Sequence, residues 1–315
     1  MRGLSKTFLG ELKEEGGLLH PILEYIKNDD TLMLAIRNGY INIYYRGGNL
    51  LKITAKKDNS YEPHFDEKYD LSGGRDRIQK LNLPKKITER AHIEKWISSV
   101  PCLKEIMDFS FHKHPKVERE FQQLIQRENN RSSIANETEY FITDIEFADS
   151  DIGSRIDMLA ICWPAKQRKN GSNCRAALIE MKYGDGSLDG KAGLLEHLTD
   201  FDTLISTKDK YKSLIETIES QFNQLDELGL LSFNRCSNGI KVKLVANSKP
   251  DVIFILANHN PRSTKLSSIL DDPKAVAYGQ TQHFDLRFFV SSFAGYGLHS
   301  DCMLTLTQVR KLLKS

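Results

Sequence analysis

Alternating apolar and polar positions predict a β-meander near the start of the chain. An apolar face at helical spacing first predicts a helix over residues 4–27. Three strand-like runs follow, separated by an Asn-Gly pair at 38–39 and a Gly-Gly pair at 47–48, which tolerate the positive φ angles of tight hairpins. The predicted strands cover residues 31–37, 40–46 and 49–55. A polar stretch over 56–86 then leads to a predicted helix over 87–107.

From about residue 115 the predicted order of elements becomes α-β-β-β-α-α-β. The first helix has an apolar face formed by Val117, Phe121, Leu124 and Ile125. The later elements are strands over 140–147, 156–163 and 176–183, helices over 193–206 and 210–229, strands over 252–257 and 284–291, and a closing helix over 306–313. This order favours an α/β (α+β) fold with a mixed sheet. We expect an N-terminal α+β accessory or recognition region over 1–110 and a second domain over 111–315.

Composition places the chain among ordinary globular proteins. It has 315 residues, with 44 Lys plus Arg against 42 Asp plus Glu and a net charge of +2. Such a balance argues against a histone-like nucleic-acid binder but permits a local basic patch. The longest apolar run, 252–257, is far shorter than the roughly 20 residues that span a bilayer, so we expect no membrane partner. The absence of a signal-peptide pattern and of any C-x-x-C pair among the five cysteines predicts a cytoplasmic location.

Two charged residues, Glu180 and Lys182, interrupt a predicted strand that is otherwise apolar. Buried charge is costly unless it is paired or ligated. Side chains at positions i and i+2 of a strand lie on the same face, so we expect these two to be neighbours. Asp157 stands at the entrance of the preceding strand and would lie beside Glu180 if the strands form a hairpin.

Two carboxylates and a lysine meet the requirements of Mg²⁺-dependent phosphodiester hydrolysis. Mg²⁺ prefers oxygen ligands and keeps waters, so Asp157, Glu180 and the backbone carbonyl of Met181 would form the metal site. Lys182 would orient or deprotonate the attacking water and stabilise the transition state. The acid-x-Lys triplet occurs five times in the chain, and the copies begin at Glu11, Asp66, Glu180, Asp189 and Asp272. Only the copy at Glu180 lies in an apolar strand that follows another apolar strand with an isolated Asp.

In these motifs the chain resembles the PD-(D/E)xK nuclease superfamily over roughly residues 115–260. The resemblance implies a restriction-endonuclease-like αβββαβ core in which Asp157 is the metal-binding Asp of the second strand. Glu180 and Lys182 would be the Glu-x-Lys of the third strand. The strings Val-Glu-Arg at 117–119 and Ile-Glu-Met-Lys at 179–182 are similar to those of archaeal Holliday-junction resolvases.

The family often has a further metal-binding acid on the first helix, and this resemblance implies Glu118 for that catalytic role. Glu120 competes for it, and a surface helix acid is the alternative interpretation of Glu118. Ile156 stands where the family usually has Pro.

The resemblance also implies a function. It predicts a hydrolase, with an endonuclease favoured, that uses Mg²⁺, or Mn²⁺ as a substitute, to cleave nucleic acid. DNA is favoured as the partner by its frequency in the family, with a role in defence against foreign DNA or in DNA processing. An endonuclease that breaks both strands usually works as a two-fold homodimer.

A basic turn lies between the two key strands. Its four basic residues would bind nucleic-acid phosphates: Lys166, Arg168, Lys169 and Arg175. The alternative is a solvated hairpin tip. Strand aromatics such as Tyr40, Tyr44 and Tyr45 could stack on nucleic acid, although strand aromatics more often belong to a core.

Several alternatives stay open at this point. Asp157, Glu180 and Lys182 could form a structural ion-pair cluster in an enzyme of another kind. A non-catalytic nucleic-acid-binding or assembly protein on the same fold is the main competitor from another functional class. Gln221 could help to position phosphate or water, and His197 could approach the site, but solvated or satisfied helix side chains are the commoner interpretation of both.

Overall fold

The computed structural model describes the chain in two compact units. The described residues are 2–71, 76–150, 154–168, 171–233, 240–245, 247–258, 264–291, 298, 300 and 303–314. The N-terminal unit consists of Arg2–Gln123 and Gln224–Leu230, and the C-terminal unit of Leu124–Asn223 and Leu231–Ser315. The domain limits expected from the sequence, 1–110 and 111–315, stay a prediction. In the described part of the chain, no helix combines the length and apolar character needed to cross a membrane.

The N-terminal unit contains an antiparallel meander. Its strands pair in the order β1-β2-β3-β4, which confirms the predicted meander. The strands are β1 (Leu32–Ile36), β2 (Tyr40–Tyr45), β3 (Gly48–Ala55) and β4 (Tyr61–His64). β4 lies in the polar stretch 56–86, where the sequence predicts no strand. It was missed because its four residues, which alternate between buried and exposed, are too few to establish a strand pattern.

Helices complete this unit. They are α1 (Lys6–Lys13), α2 (His20–Lys27), α3 (Asp76–Lys80), α4 (Arg90–Lys113) and the start of α5 (Val117–Asn130). The single helix expected over residues 4–27 is in fact two, because Gly16 and Gly17 interrupt it, as glycine disfavours helix interiors. Tyr44 is buried, while Tyr40 and Tyr45 are half-buried.

The turn between β2 and β3 differs by one residue from the sequence-based expectation. Its central residues are Arg46 and Gly47, with φ of 48° and 70°, and Gly48 already belongs to β3. Two consecutive positive φ values are typical of a type I′ hairpin turn. A Cβ atom on Gly47 would also collide with the backbone of Arg119, so glycine is required there on two grounds.

The C-terminal unit contains a mixed sheet in the order β5-β6-β7-β8-β9. β5, β6 and β7 pair antiparallel, whereas β7, β8 and β9 pair parallel. The mixed α/β sheet expected from the sequence is therefore confirmed. The strands are β5 (Tyr140–Asp149), β6 (Ser154–Cys162), β7 (Arg175–Tyr183), β8 (Asp251–Ala257) and β9 (Asp285–Ser291). The helices after α5 are α6 (Leu194–Ser206), α7 (Lys208–Glu227), α8 (Thr264–Leu270), α9 (Pro273–Tyr278) and α10 (Leu306–Leu313).

The middle of this sheet is covered on both faces. Every residue of β8 is buried, and so are the residues of β7 between its two ends, as expected for parallel strands between layers of helix. α6 and α7 connect the end of β7 to the start of β8. Because β7 and β8 are parallel, their carboxyl ends lie at the same edge of the sheet. In open α/β sheets ligands bind at that edge. Glu180 and Lys182 lie in the last four residues of β7.

Candidate active site in the C-terminal unit

Glu180 and Lys182 form a buried ion pair on β7. The Lys182 ammonium Nζ lies 2.6 Å from Glu180 Oε1, and each side chain is only 4% exposed. The alternation of a strand places positions i and i+2 on one face, and this contact confirms that expectation. Lys182 Nζ also donates to the backbone carbonyl of Ala192, at 2.9 Å. The ammonium is therefore held from two sides.

Asp157 approaches the same part of β7 from the neighbouring strand. β6 and β7 pair antiparallel with Met158 opposite Ile179, so Asp157 and Glu180 occupy the next register position. The half-buried Asp157 accepts a hydrogen bond at Oδ2 from the backbone N–H of Met181, at 2.8 Å. The expected metal contact of the Met181 carbonyl stays a prediction.

His197 belongs to this site, although its sequence position gave no reason to prefer it to an ordinary helix histidine. It lies in the first turns of α6, and its Nε2 is 2.9 Å from Glu180 Oε1. Its Nδ1 is buried and has no hydrogen-bond partner among the described residues. We call Glu180, Lys182 and His197 the carboxyl-end cluster.

A cavity of about 610 Å³ lies along the segment that leads into α6. Its lining includes Lys191 and Gly193, the chain neighbours of the Ala192 carbonyl that holds Lys182. The loop that fixes the lysine thus also forms the wall of a space large enough for a small ligand.

A second buried cluster lies at the other end of β7. The Arg175 guanidinium donates to both carboxylate oxygens of Asp251, at 2.9 and 3.0 Å, and the Tyr140 hydroxyl donates to Oδ2 at 2.8 Å. Asp251 is fully buried, and burial raises the pKa of its carboxyl although Arg175 and Tyr140 favour the charged form. We call Tyr140, Arg175 and Asp251 the amino-end cluster.

The basic residues expected to bind phosphate differ in their exposure and in their contacts. Arg168 is only 3% exposed and donates to the carbonyls of Trp163 and Asn136, at 3.0 and 2.9 Å, and to that of Thr138. Its guanidinium also lies over the ring of Phe141, at 4.8 Å. The Arg168 side chain therefore binds backbone carbonyls in the protein interior and does not face a solvated phosphate.

The other three expected phosphate contacts are of three kinds. Arg175 directs its guanidinium to Asp251 in the amino-end cluster. Lys166 is exposed, as a phosphate contact would require. Lys169 lies outside the described residues.

The two candidate acids of the first helix lie in the part of α5 that belongs to the N-terminal unit. Glu118 is half-buried in the first turn. Glu120 is bound by Arg46, whose Nε lies 2.8 Å from Glu120 Oε1 and whose Nη1 lies 2.8 Å from Asp108 Oδ1. Glu120 is thus committed to an ion-pair network, and a metal-binding role for Glu118 stays a prediction.

Asp144 is a buried acid that the sequence interpretation missed. It lies on β5 and accepts a hydrogen bond from Gln221 Nε2 at 2.8 Å, and both side chains are fully buried. The signal was present, because Asp144 interrupts an apolar strand as Glu180 does. Gln221 is therefore not the solvated helix glutamine that the sequence favoured, because its amide nitrogen is bonded in the protein interior.

Asp157 and Glu180 are the carboxylates of this site that could hold Mg²⁺. Among the described residues, no three His, Cys, Asp or Glu side chains are placed to share one ion. Mg²⁺ is usually held through one or two carboxylates together with waters and substrate phosphate oxygens. Asp157 and Glu180 supply that kind of donor, and Glu180 Oε2 takes no part in the contacts with Lys182 and His197. The residues fit Mg²⁺ in type and number.

Comparisons of the chain with protein-family models, with curated proteins and with solved structures found no significant match.

Proposed function

We propose that the C-terminal unit is a metal-dependent nuclease of the PD-(D/E)xK type, which hydrolyses phosphodiester bonds of DNA as an endonuclease. The observation that carries the proposal is the buried Glu180–Lys182 pair on β7, with Asp157 at the adjacent register position of β6. Two buried charges on a central strand are costly to desolvate, and replacing such a pair by apolar side chains is often neutral or stabilising, so a retained pair favours a functional role.

The order of elements supports the proposal. The run α5-β5-β6-β7-α6-α7-β8 has the αβββαβ order of a restriction-endonuclease-like core, with one additional helix before the last strand. The parallel pairing of β7 with β8 puts the proposed catalytic residues near the strand ends at which α/β sheets bind ligands.

The chemistry assigned to each residue follows from its position. Asp157 and Glu180 would hold Mg²⁺, and when bound the ion would polarise a phosphate oxygen and favour formation of hydroxide from water. An ammonium has three N–H donors, and the contacts of Lys182 with Glu180 and Ala192 use two of them. The third can donate to the attacking water or to a phosphate oxygen and stabilise the charge that develops in the transition state.

The competing function is a non-catalytic nucleic-acid-binding or assembly protein, in which the carboxyl-end cluster is structural. The observation in its favour is that Lys182 already has two acceptors within the protein. The two functions differ in one measurable respect, because only the nuclease requires the charges of Asp157 and Lys182 for a chemical step.

The test is cleavage of labelled duplex, single-stranded and branched DNA and of RNA by the full chain with Mg²⁺ or Mn²⁺. We expect Lys182→Ala to lose at least about 10²-fold in rate, the usual contribution of a group that acts in proton transfer. Asp157→Asn should lose at least as much, because it removes a charged ligand of the metal ion. Folding of each variant is checked by circular dichroism.

Lys274→Ala is the matched control, because Lys274 is the exposed lysine of another acid-x-Lys triplet, the one that begins at Asp272. It should cleave at the wild-type rate. Wild-type protein that is inactive on every substrate with both metals would contradict the proposal and favour the non-catalytic alternative.

A further inference from the structure

We propose that His197 is a positioning residue that holds the Glu180 carboxylate in the orientation needed for metal binding. This inference rests on the proposed function. It goes beyond the acid and lysine set, because it assigns a role to a residue on α6 that no motif of the sequence includes.

The contacts of Glu180 are one-sided. Lys182 Nζ and His197 Nε2 both approach Oε1, at 2.6 and 2.9 Å, and Glu180 as a whole is only 3% exposed. Two donors on one oxygen fix the carboxylate and leave Oε2 as the oxygen for a metal ion. Partners of this kind orient metal-binding carboxylates and raise metal affinity in many sites.

The two donors come from different elements. Lys182 lies on the strand of Glu180 itself, whereas His197 lies on α6, 17 residues further along the chain. The Lys182 ammonium is in turn held by the carbonyl of Ala192, directly before α6. The start of α6 is therefore tied to the Glu-x-Lys pair at two points, and His197 is the one that contacts the carboxylate.

The contact with Glu180 fixes which ring nitrogen of His197 carries the hydrogen. A carboxylate only accepts hydrogen bonds, so Nε2 must carry the hydrogen in this contact. Nδ1 is then directed to a buried position where no described atom pairs with it.

The experiment measures Mn²⁺ binding to the full chain by calorimetry, which does not depend on catalysis. We expect His197→Ala to weaken binding about 10- to 100-fold, the usual effect of losing a partner of a metal ligand. His197→Gln should stay within about 3-fold of wild type, because its terminal amide can donate to the same oxygen. His197→Asn is too short to reach Glu180 and should behave as the alanine variant does.

His283→Ala is the matched control. His283 Nδ1 pairs with Asp202 on α6 at 2.7 Å, but that contact is exposed and should leave Mn²⁺ affinity unchanged. The Mg²⁺ concentration for half-maximal cleavage should rise in His197→Ala in parallel with the loss of Mn²⁺ affinity.

The outcomes separate the two proposals. Equal Mn²⁺ affinity in wild type and in both short variants overturns the role of His197 and leaves the nuclease proposal standing. No Mn²⁺ binding by wild type overturns the nuclease proposal and this inference with it. An alanine variant that fails to fold leaves His197→Asn and His197→Gln to decide, because a positioning role requires them to differ.

Discussion

The two ends of β7 hold buried charge in two different arrangements. In the amino-end cluster both carboxylate oxygens of Asp251 are bonded, by Arg175 and by the Tyr140 hydroxyl. In the carboxyl-end cluster two donors share one oxygen of Glu180, and a ring nitrogen of His197 has no partner among the described residues. In the first network both carboxylate oxygens are bonded within the protein, whereas in the second Oε2 of Glu180 takes part in neither contact.

This difference indicates that the amino-end cluster contributes to stability and that the carboxyl-end cluster is placed for function. Asp251 is fully buried and both of its oxygens are bonded to groups of the protein, so we expect its contribution to be structural. A carboxylate with one oxygen outside the internal contacts, near the carboxyl ends of parallel strands, is placed to bind a ligand. Changes in the two clusters should therefore affect different measurements.

The largest expected effect comes from making the carboxyl-end cluster apolar. Glu180→Leu with Lys182→Met should reduce cleavage at least about 10³-fold, because metal assistance contributes several kcal/mol and each 1.4 kcal/mol is tenfold in rate. The free energy of unfolding should stay equal or rise by about 1–4 kcal/mol, since replacing a buried ion pair by apolar side chains is often stabilising. Rates are compared with urea unfolding curves. A large loss of stability would mean that this cluster is structural as well.

The next effect belongs to the amino-end cluster. Arg175→Met should lower the free energy of unfolding by about 3 kcal/mol, because the buried Asp251 carboxylate loses its cation. This is the lower end of the usual range, since the Arg175 side chain is itself 40% exposed. Urea unfolding at pH 7 measures it, with Lys274→Ala as the control. A change below about 0.5 kcal/mol would contradict the structural role of this cluster.

A smaller effect is the pH dependence of Asp251. Burial raises the pKa of its carboxyl in the folded state, so the folded protein keeps a proton that the unfolded chain has lost above about pH 4. The stability of wild type relative to Asp251→Asn should therefore be greatest below pH 4 and fall as the pH rises through the folded-state pKa. The slope cannot exceed about 1.4 kcal/mol per pH unit, the value for one proton. Unfolding curves between pH 3 and pH 8 measure it, and an increase with pH would contradict the assignment.

The smallest effect is expected for an exposed contact between a histidine and an aspartate of the same unit. His283→Ala removes the contact with Asp202, whose side chains are 47% and 29% exposed. The free energy of unfolding should change by no more than about 0.5 kcal/mol, because exposed pairs are screened by water and salt. Thermal unfolding measures this change, and a larger one would show that burial is not what makes the contact of Arg175 with Asp251 more stabilising than an exposed contact.

Much of the fold was predictable because its signals are local. The meander and the order α-β-β-β-α-α-β follow from periodicity and turn residues, which neighbouring positions carry together. α8 and α9 were missed because they are helices of seven and six residues, too short to establish a helical period.

Within the candidate site, the neighbour relation of Glu180 and Lys182 was predictable for the same reason. Glu180 and Lys182 were found because two charges in an apolar strand must share a face, and their contact at 2.6 Å agrees. Arg168 was assigned to phosphate from its charge alone, whereas the fold encloses it among backbone carbonyls. His197 was not chosen because its partner Glu180 lies on another element of the fold. Asp144 was missed although it interrupts an apolar strand as Glu180 does.

The sequence by itself determined most of the helices and strands, the mixed sheet and the pairing of Glu180 with Lys182, because periods of 2.0 and 3.6 residues act over a few positions. Only the tertiary structure decided which side chains from distant segments meet the buried carboxylates of Asp251 and Asp144. Arg175 finds Asp251 76 positions away, and Gln221 finds Asp144 77 positions away. Such contacts depend on how distant segments pack in three dimensions, and the local periodicity that predicts helices and strands does not encode them.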